Sequence, residues 1–155
     1  MKISIITVCF NAAETIKSTI DSIASQSYQN IEHIIVDGGS QDGTREIISS
    51  SDSVSKYIFE PDDGIYDAMN KGIKAASGDI VGILNADDFY ANENVLSNVS
   101  AAFSDPLIDT VYGDLVYVDK ENTDKIIRYW KSRCFVPGLF QRGWMPAHPT
   151  FFVRS

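Results

Sequence analysis

At 155 residues the chain has the length of one domain, enough to bury a real core. Hydrophobic residues make up 44% and charged residues 22%, ordinary for a soluble globular protein, and the net charge of -8 argues against nucleic acid as the main partner. Cys9 and Cys134 form neither a CxxC pair nor a metal-ligand cluster, and the apolar run at the amino terminus is too short and too β-branched for a signal peptide or a membrane span.

Ile3 to Phe10 is a nearly continuous apolar run, as expected of a parallel strand covered on both faces. Cys9 within it reads as a small buried hydrophobe. Asn11, with Glu14 three residues on, has the spacing of a capping box before a helix whose stripe is Ala13, Ile16, Ile20 and Ile23. A second buried strand over 31–37 ends in the turn-rich Gly38 to Gly43, which leads into a helix over 44–50. Residues 57–59 read as a short third strand, and His33 inside the second as structural.

Asp63 is a competent N-cap for an amphipathic helix with Ile65, Ala68, Met69, Gly72, Ile73 and Ala76 on one face and Gly78 placed to close it. A buried strand over 80–84 runs straight into Asn85-Ala86-Asp87-Asp88, and 93–103 reads as a helix. Residues 110–118 and 125–130 predict two strands of a more exposed antiparallel piece, and 136–155 a loop with a final strand at 150–153. Strands alternating with helices predict a single α/β domain with a mostly parallel sheet.

In such sheets ligands bind beyond the carboxyl ends of the strands. The first strand ends at Thr7 to Asn11, the second at Asp37, the third before Asp62-Asp63 and the fourth at Asp87-Asp88, so acids from separate segments converge. Clustered carboxylates repel one another unless a cation sits among them, and Mg²⁺ or Mn²⁺ is held by one or two carboxylates together with phosphate oxygens and water. Asp37 before Gly-Gly reads equally as a turn residue, and His148, between Pro146 and Pro149, equally as a turn histidine or a functional one.

The segments Ile5 to Asn11, Val36 to Thr44 and Leu84 to Asp88 resemble the family 2 inverting glycosyltransferases of GT-A fold. Asp63 to Gly72 and His148-Pro149-Thr150 resemble the branch that builds bacterial exopolysaccharide and surface polysaccharide. The resemblance covers almost the whole chain and implies a Rossmann-like GT-A sheet. It implies a nucleotide-sugar donor, usually a UDP-sugar, and a saccharide or lipid-linked acceptor. The protein is then cytoplasmic, with peripheral membrane association left open.

By the same resemblance Thr7, Cys9, Asn11 and Asp37 border the base and ribose. Asn85, Ala86 and Asp87 form the DXD-type segment, with Asp87 and Asp88 as metal ligands and Asn85 a hydrogen-bonding replacement for the usual first acid. Asp63, Asn70 and Lys71 border the nucleotide, and His148 approaches the diphosphate or acceptor. The general base of family members lies in a later segment, and no acid follows Asp124 here. The expectation is therefore a domain whose acceptor and base segment lies beyond Ser155, with a non-catalytic nucleotide-sugar-binding module as the alternative. A nucleotidyltransferase would need a glycine- and arginine-rich loop where Asn11 to Glu14 stand, and a receiver domain does not accommodate the irregular tail.

Overall fold

A computed structural model describes residues 1–155. Four strands come first, β1 (Ile3–Cys9), β2 (Ile31–Asp37), β3 (Lys56–Phe59) and β4 (Ile80–Ile83), all parallel. Helices α1 (Ile16–Ala24), α2 (Thr44–Ser49) and α3 (Ile65–Ala75) make the crossovers, and α4 (Val95–Ala102) follows β4. Two short strands, β5 (Thr110–Val111) and β8 (Phe152–Arg154), complete a six-stranded sheet in the order β3-β2-β1-β4-β8-β5. Strand β8 runs antiparallel to both of its neighbours. A separate antiparallel hairpin joins β6 (Leu115–Val118) to β7 (Ile126–Trp130).

Alternation along β1 decides which helix covers which face. Ile3, Ile5 and Cys9 look toward α1, α2 and α4, where Ile23, Leu96, Val99 and Phe103 fill one cluster and Ile16, Ile20 and Ile48 another. Ile6 and Val8 point the opposite way, against Ile34, Val36, Val81 and Ala68 of α3. Helix α3 approaches so closely that a Cβ at Gly72 would overlap Ile6 Cγ2. Gly72→Ala is therefore expected to lower stability by about 1–3 kcal/mol through overpacking, despite alanine's better helix propensity. Urea unfolding checks this; an unchanged or higher midpoint contradicts the close approach.

His33 is a core residue, as the sequence predicts. Its Nε2 pairs with Thr7 Oγ1 at 3.0 Å, its Nδ1 has no partner, and burial pulls its pKa down to about 4. The unfolded chain, with an ordinary histidine, binds a proton at higher pH than the folded one, so stability rises with pH between about 4 and 6.5. Full expression of that shift corresponds to about 3 kcal/mol. His33→Gln, which can still bond Thr7 and does not titrate, is expected to flatten this part of the stability curve, read by denaturant midpoints from pH 4 to 7.

Four local expectations need correction. Helix α1 starts at Ile16 with Thr15 as its cap and no side-chain cap bond, so Asn11 and Glu14 form no capping box. Asn11 instead has φ 51°, and its Oδ1 accepts from Gln41 N (2.9 Å): a tertiary bond takes the side chain that a cap would use. Gly64 rather than Asp63 caps α3, and α3 ends at Ala75 before reaching Gly78, which instead packs on the β1 backbone at Lys2 and Ser4. The single strand expected over 110–118 is two: β5 joins the main sheet, then Gly113 and Asp114 break the run and β6 enters the hairpin.

Candidate functional site

The loops at the carboxyl ends of β1 and β2 hold one another. Asp37, wholly buried at the end of β2, accepts through Oδ1 from Gly39 N (3.0 Å), Ser40 N (2.8 Å) and Ser40 Oγ (2.7 Å), and through Oδ2 from Tyr57 OH (2.9 Å). Burial, reinforced by the Asp37 charge, pushes the Tyr57 phenol far above its usual range, so it stays a donor. Ser40 Oγ in turn accepts from Asn11 N (2.8 Å), and Thr44 Oγ1 from Ala12 N (2.8 Å). The loop after β1 is thereby latched onto the loop after β2. Asp37 shapes the crevice through its own turn rather than by presenting a free carboxylate.

Thr7 and Cys9, which the family resemblance sets beside the nucleotide, are buried in the core. Thr7 is fully buried with its hydroxyl on His33, and Cys9 is buried. The Cys9 thiol is pushed up to about 12, first by burial and then by the charges of Asp37, Asp42 and Asp62. It is a protonated, inert thiol, and its shift reports a negative potential at the strand ends.

One acid that contributes to that field was not singled out in the sequence. Asp62 accepts from Gly64 N (2.9 Å) through Oδ1, while Oδ2 stands where a Cβ at Gly38 would be. Only glycine at position 38 lets this carboxylate lean over the end of β2. Asp63, the neighbour chosen from the sequence as cap and contact, is exposed, and its backbone N–H donates to Asp67 Oδ2 (3.2 Å). The two adjacent acids look alike in sequence, and only the structure separates their directions. Phe10, which by sequence belongs to the buried run, is 64% exposed directly after β1, at the carboxyl end of that strand.

Lys71 is tied to Glu60 (3.1 Å), Asp67 (3.0 Å) and the Pro61 carbonyl (2.8 Å), so it fastens the 60–64 loop to α3. Asn70 is exposed on the same helix.

The fourth strand end carries the densest polar group. Asn85 Nδ2 and His148 Nε2 lie within hydrogen-bond distance, 2.9 Å apart. The structure thus brings His148 beside the DXD-type segment from 63 positions away in the chain. Ala86 is buried, Asp87 is exposed and Asp88 half-buried. Burial raises the Asp88 carboxyl above its ordinary range, the Asp87 charge raises it further, and His148 opposes both. Asn85 Oδ1 is buried without any partner.

Two adjacent acids, Asp88 held up first by burial and then by the Asp87 charge, with an unpaired amide oxygen alongside, suit a divalent cation. No group of three or more His, Cys, Asp or Glu side chains closes a metal cage. Asp87 and Asp88 are the residues that would hold the ion. None of the helices is long and apolar enough to cross a membrane.

An uncharacterized glycosyltransferase of Mycobacterium tuberculosis is 38% identical over 104 residues, 66% of this chain and 40% of that protein. A mannosyltransferase from Pyrobaculum calidifontis, solved in complex with GDP-Man and Mn²⁺, superposes with a TM-score of 0.65 at 27% identity, covering 72% of this chain and 35% of that one. Glucosyl-3-phosphoglycerate synthase from Mycobacterium tuberculosis, in complex with Mn²⁺, UDP and glucosyl-3-phosphoglycerate, gives a TM-score of 0.60 at 25% identity, over 72% of this chain and 43% of that one. The sheet is accordingly of GT-A type. The chain spans less than half the length of each of these proteins. The Glycosyl transferase family 2 profile matches residues 4–152, and the chain belongs to that family.

Proposed function

We propose that the chain forms the donor-binding part of a metal-dependent, inverting glycosyltransferase that takes a UDP-sugar and serves a saccharide or lipid-linked acceptor in bacterial surface-polysaccharide synthesis. The observation that carries this reading is the Asp87-Asp88 pair directly after Asn85, which contacts His148 and carries an unpaired oxygen at the end of β4, within a family 2 domain. The Mn²⁺ complexes of the mannosyltransferase and the synthase support the metal, and the UDP complex of the latter supports the nucleotide.

In this reading Phe10 supplies a face for the base, and Asp62 with the Asp37-held turn bounds the ribose. Asn11 and Lys71 contribute through the loops they latch. A divalent cation on Asp87 and Asp88 would neutralise the diphosphate as its bond to the sugar breaks. Asn85 holds His148 by one hydrogen bond, so the imidazole has a fixed direction beside the leaving group.

Titration calorimetry of the chain with UDP, with and without Mn²⁺, tests the proposal. Binding that requires Mn²⁺ is the expected result. A folded sample that binds UDP in neither condition overturns it.

A further inference from the structure

Helix α1 and the turn after it carry one polar stripe on their inner side, Thr19, Ser22 and Gln26, spaced i, i+3 and i+7. Thr19 and Gln26 are buried, and Ser22 is half-buried. A helical serine or threonine ordinarily donates its hydroxyl proton to a carbonyl three or four positions back. Ser18, Ser22 and, at the end of the helix, Ser25 do so, to the carbonyls of Thr15, Thr19 and Ser22. Thr19 does not. Its Oγ1 donates to the carbonyl of Asp88 (2.8 Å), 69 positions along the chain, with the carbonyl of Asn85 at 3.5 Å.

The rest of the stripe follows the same loop. Ser22 Oγ accepts from Tyr90 N (3.3 Å), and Gln26 donates through Nε2 to the Asn92 carbonyl (2.8 Å) and accepts through Oε1 from Leu96 N (3.0 Å). Ser27 N donates to the Glu93 carbonyl (2.7 Å). Between the end of β4 and the start of α4 the chain is neither helix nor strand. Helix α1 and the residues just after it supply every hydrogen bond that ties the backbone of 88–93 to another segment.

We infer that Thr19 is a positioning residue for the divalent cation, acting through the Asp88 carbonyl to hold the backbone that carries the Asp87 and Asp88 carboxylates. This rests on the donor-site reading above. Thr19 is fully buried, so it is no ligand itself. Without its hydroxyl the loop gains freedom, and the ion must order the two acids as it binds, which weakens it. The loops after β1 and β2 are latched by other bonds, Ser40 with Asn11 N and Thr44 with Ala12 N, so the metal-independent part of nucleotide binding is spared.

Calorimetry of UDP binding with and without Mn²⁺ gives the ratio of the two affinities, a readout that a merely structural role does not move. Thr19→Val keeps the shape and removes the donor. Its ratio is expected to fall about tenfold, with the affinity in the absence of Mn²⁺ as in the parent. Thr19→Ser restores the hydroxyl and regains the parent ratio. Ser77→Ala, which loses bonds with Lys2 and Glu32 at the opposite end of the sheet, lowers stability and keeps the ratio. A parent ratio in Thr19→Val, no recovery in Thr19→Ser, or an equal fall in Ser77→Ala each overturns the inference while the donor site stands. A parent protein that binds UDP equally with and without Mn²⁺ removes the metal reading, and the role of Thr19 with it. If Thr19→Val does not fold, Ser22→Ala, which takes the acceptor from Tyr90 N, replaces it, and a parent ratio there is the overturning result.

Discussion

Asp87→Ala is expected to abolish the Mn²⁺-dependent part of UDP binding and leave the fold unchanged. Asp87 is exposed, forms no hydrogen bond through its carboxylate and lies just beyond β4, so its truncation exposes no cavity and strands no partner. Relief of its repulsion with Asp88 even favours the apo protein slightly, since Asp88 is raised in part by the Asp87 charge. The loss falls instead on the ion. With one carboxylate of two removed, the site keeps only half-buried Asp88, and affinity for UDP in the presence of Mn²⁺ is expected to fall on the order of 100-fold, about 2.7 kcal/mol. Affinity without Mn²⁺ should not move. Calorimetry with an unfolding scan on the same sample checks both halves. Parent-like UDP affinity with Mn²⁺ removes Asp87 from the metal site, and a loss equal in the two conditions makes it a nucleotide contact.

The parallel core was legible because its strands are buried on both faces and its helices carry one apolar stripe each. Ile3 to Cys9 and Ile31 to Asp37 could be little else, and β4 runs straight into its acids. What sequence patterns did not carry were interactions between distant segments. Asn11 has the spacing of a cap, but Gln41, 30 residues on, claims its oxygen. Strand β8 is only three residues long, and nothing local announces that it inserts between β4 and β5. Its placement nevertheless decides the site, because it delivers His148 to Asn85. Asp62 and Asp63 look alike in sequence, yet the structure sets Asp62 over Gly38 and leaves Asp63 exposed. The acids at the strand ends were thus readable as a set, while the division between those left open to the crevice and those that hold a loop was not.

Asp37 shows what that division means energetically. A contact residue, when truncated, lowers affinity and spares stability; a residue that organises its own turn does the reverse. Asp37 accepts four hydrogen bonds while fully buried. Asp37→Ala leaves two backbone N–H groups and two hydroxyls without their acceptor in a water-poor site. Some will find water or relax, so the expected destabilisation is about 3–5 kcal/mol rather than the sum of four bonds. Asp37→Asn is informative beside it, because the amide keeps one acceptor oxygen for Gly39 and Ser40 but presents a donor to the Tyr57 hydroxyl. That hydroxyl can reverse and accept, so a milder loss of about 1–2 kcal/mol is expected. The loop from 38 to 43 loosens in both variants, and with it the Ser40 oxygen that holds Asn11 N. UDP affinity then falls in proportion to the loosening, and recovers on cooling as the turn re-forms. A folded Asp37→Ala protein of parent stability that binds UDP weakly contradicts this account and makes Asp37 a direct ligand of the nucleotide.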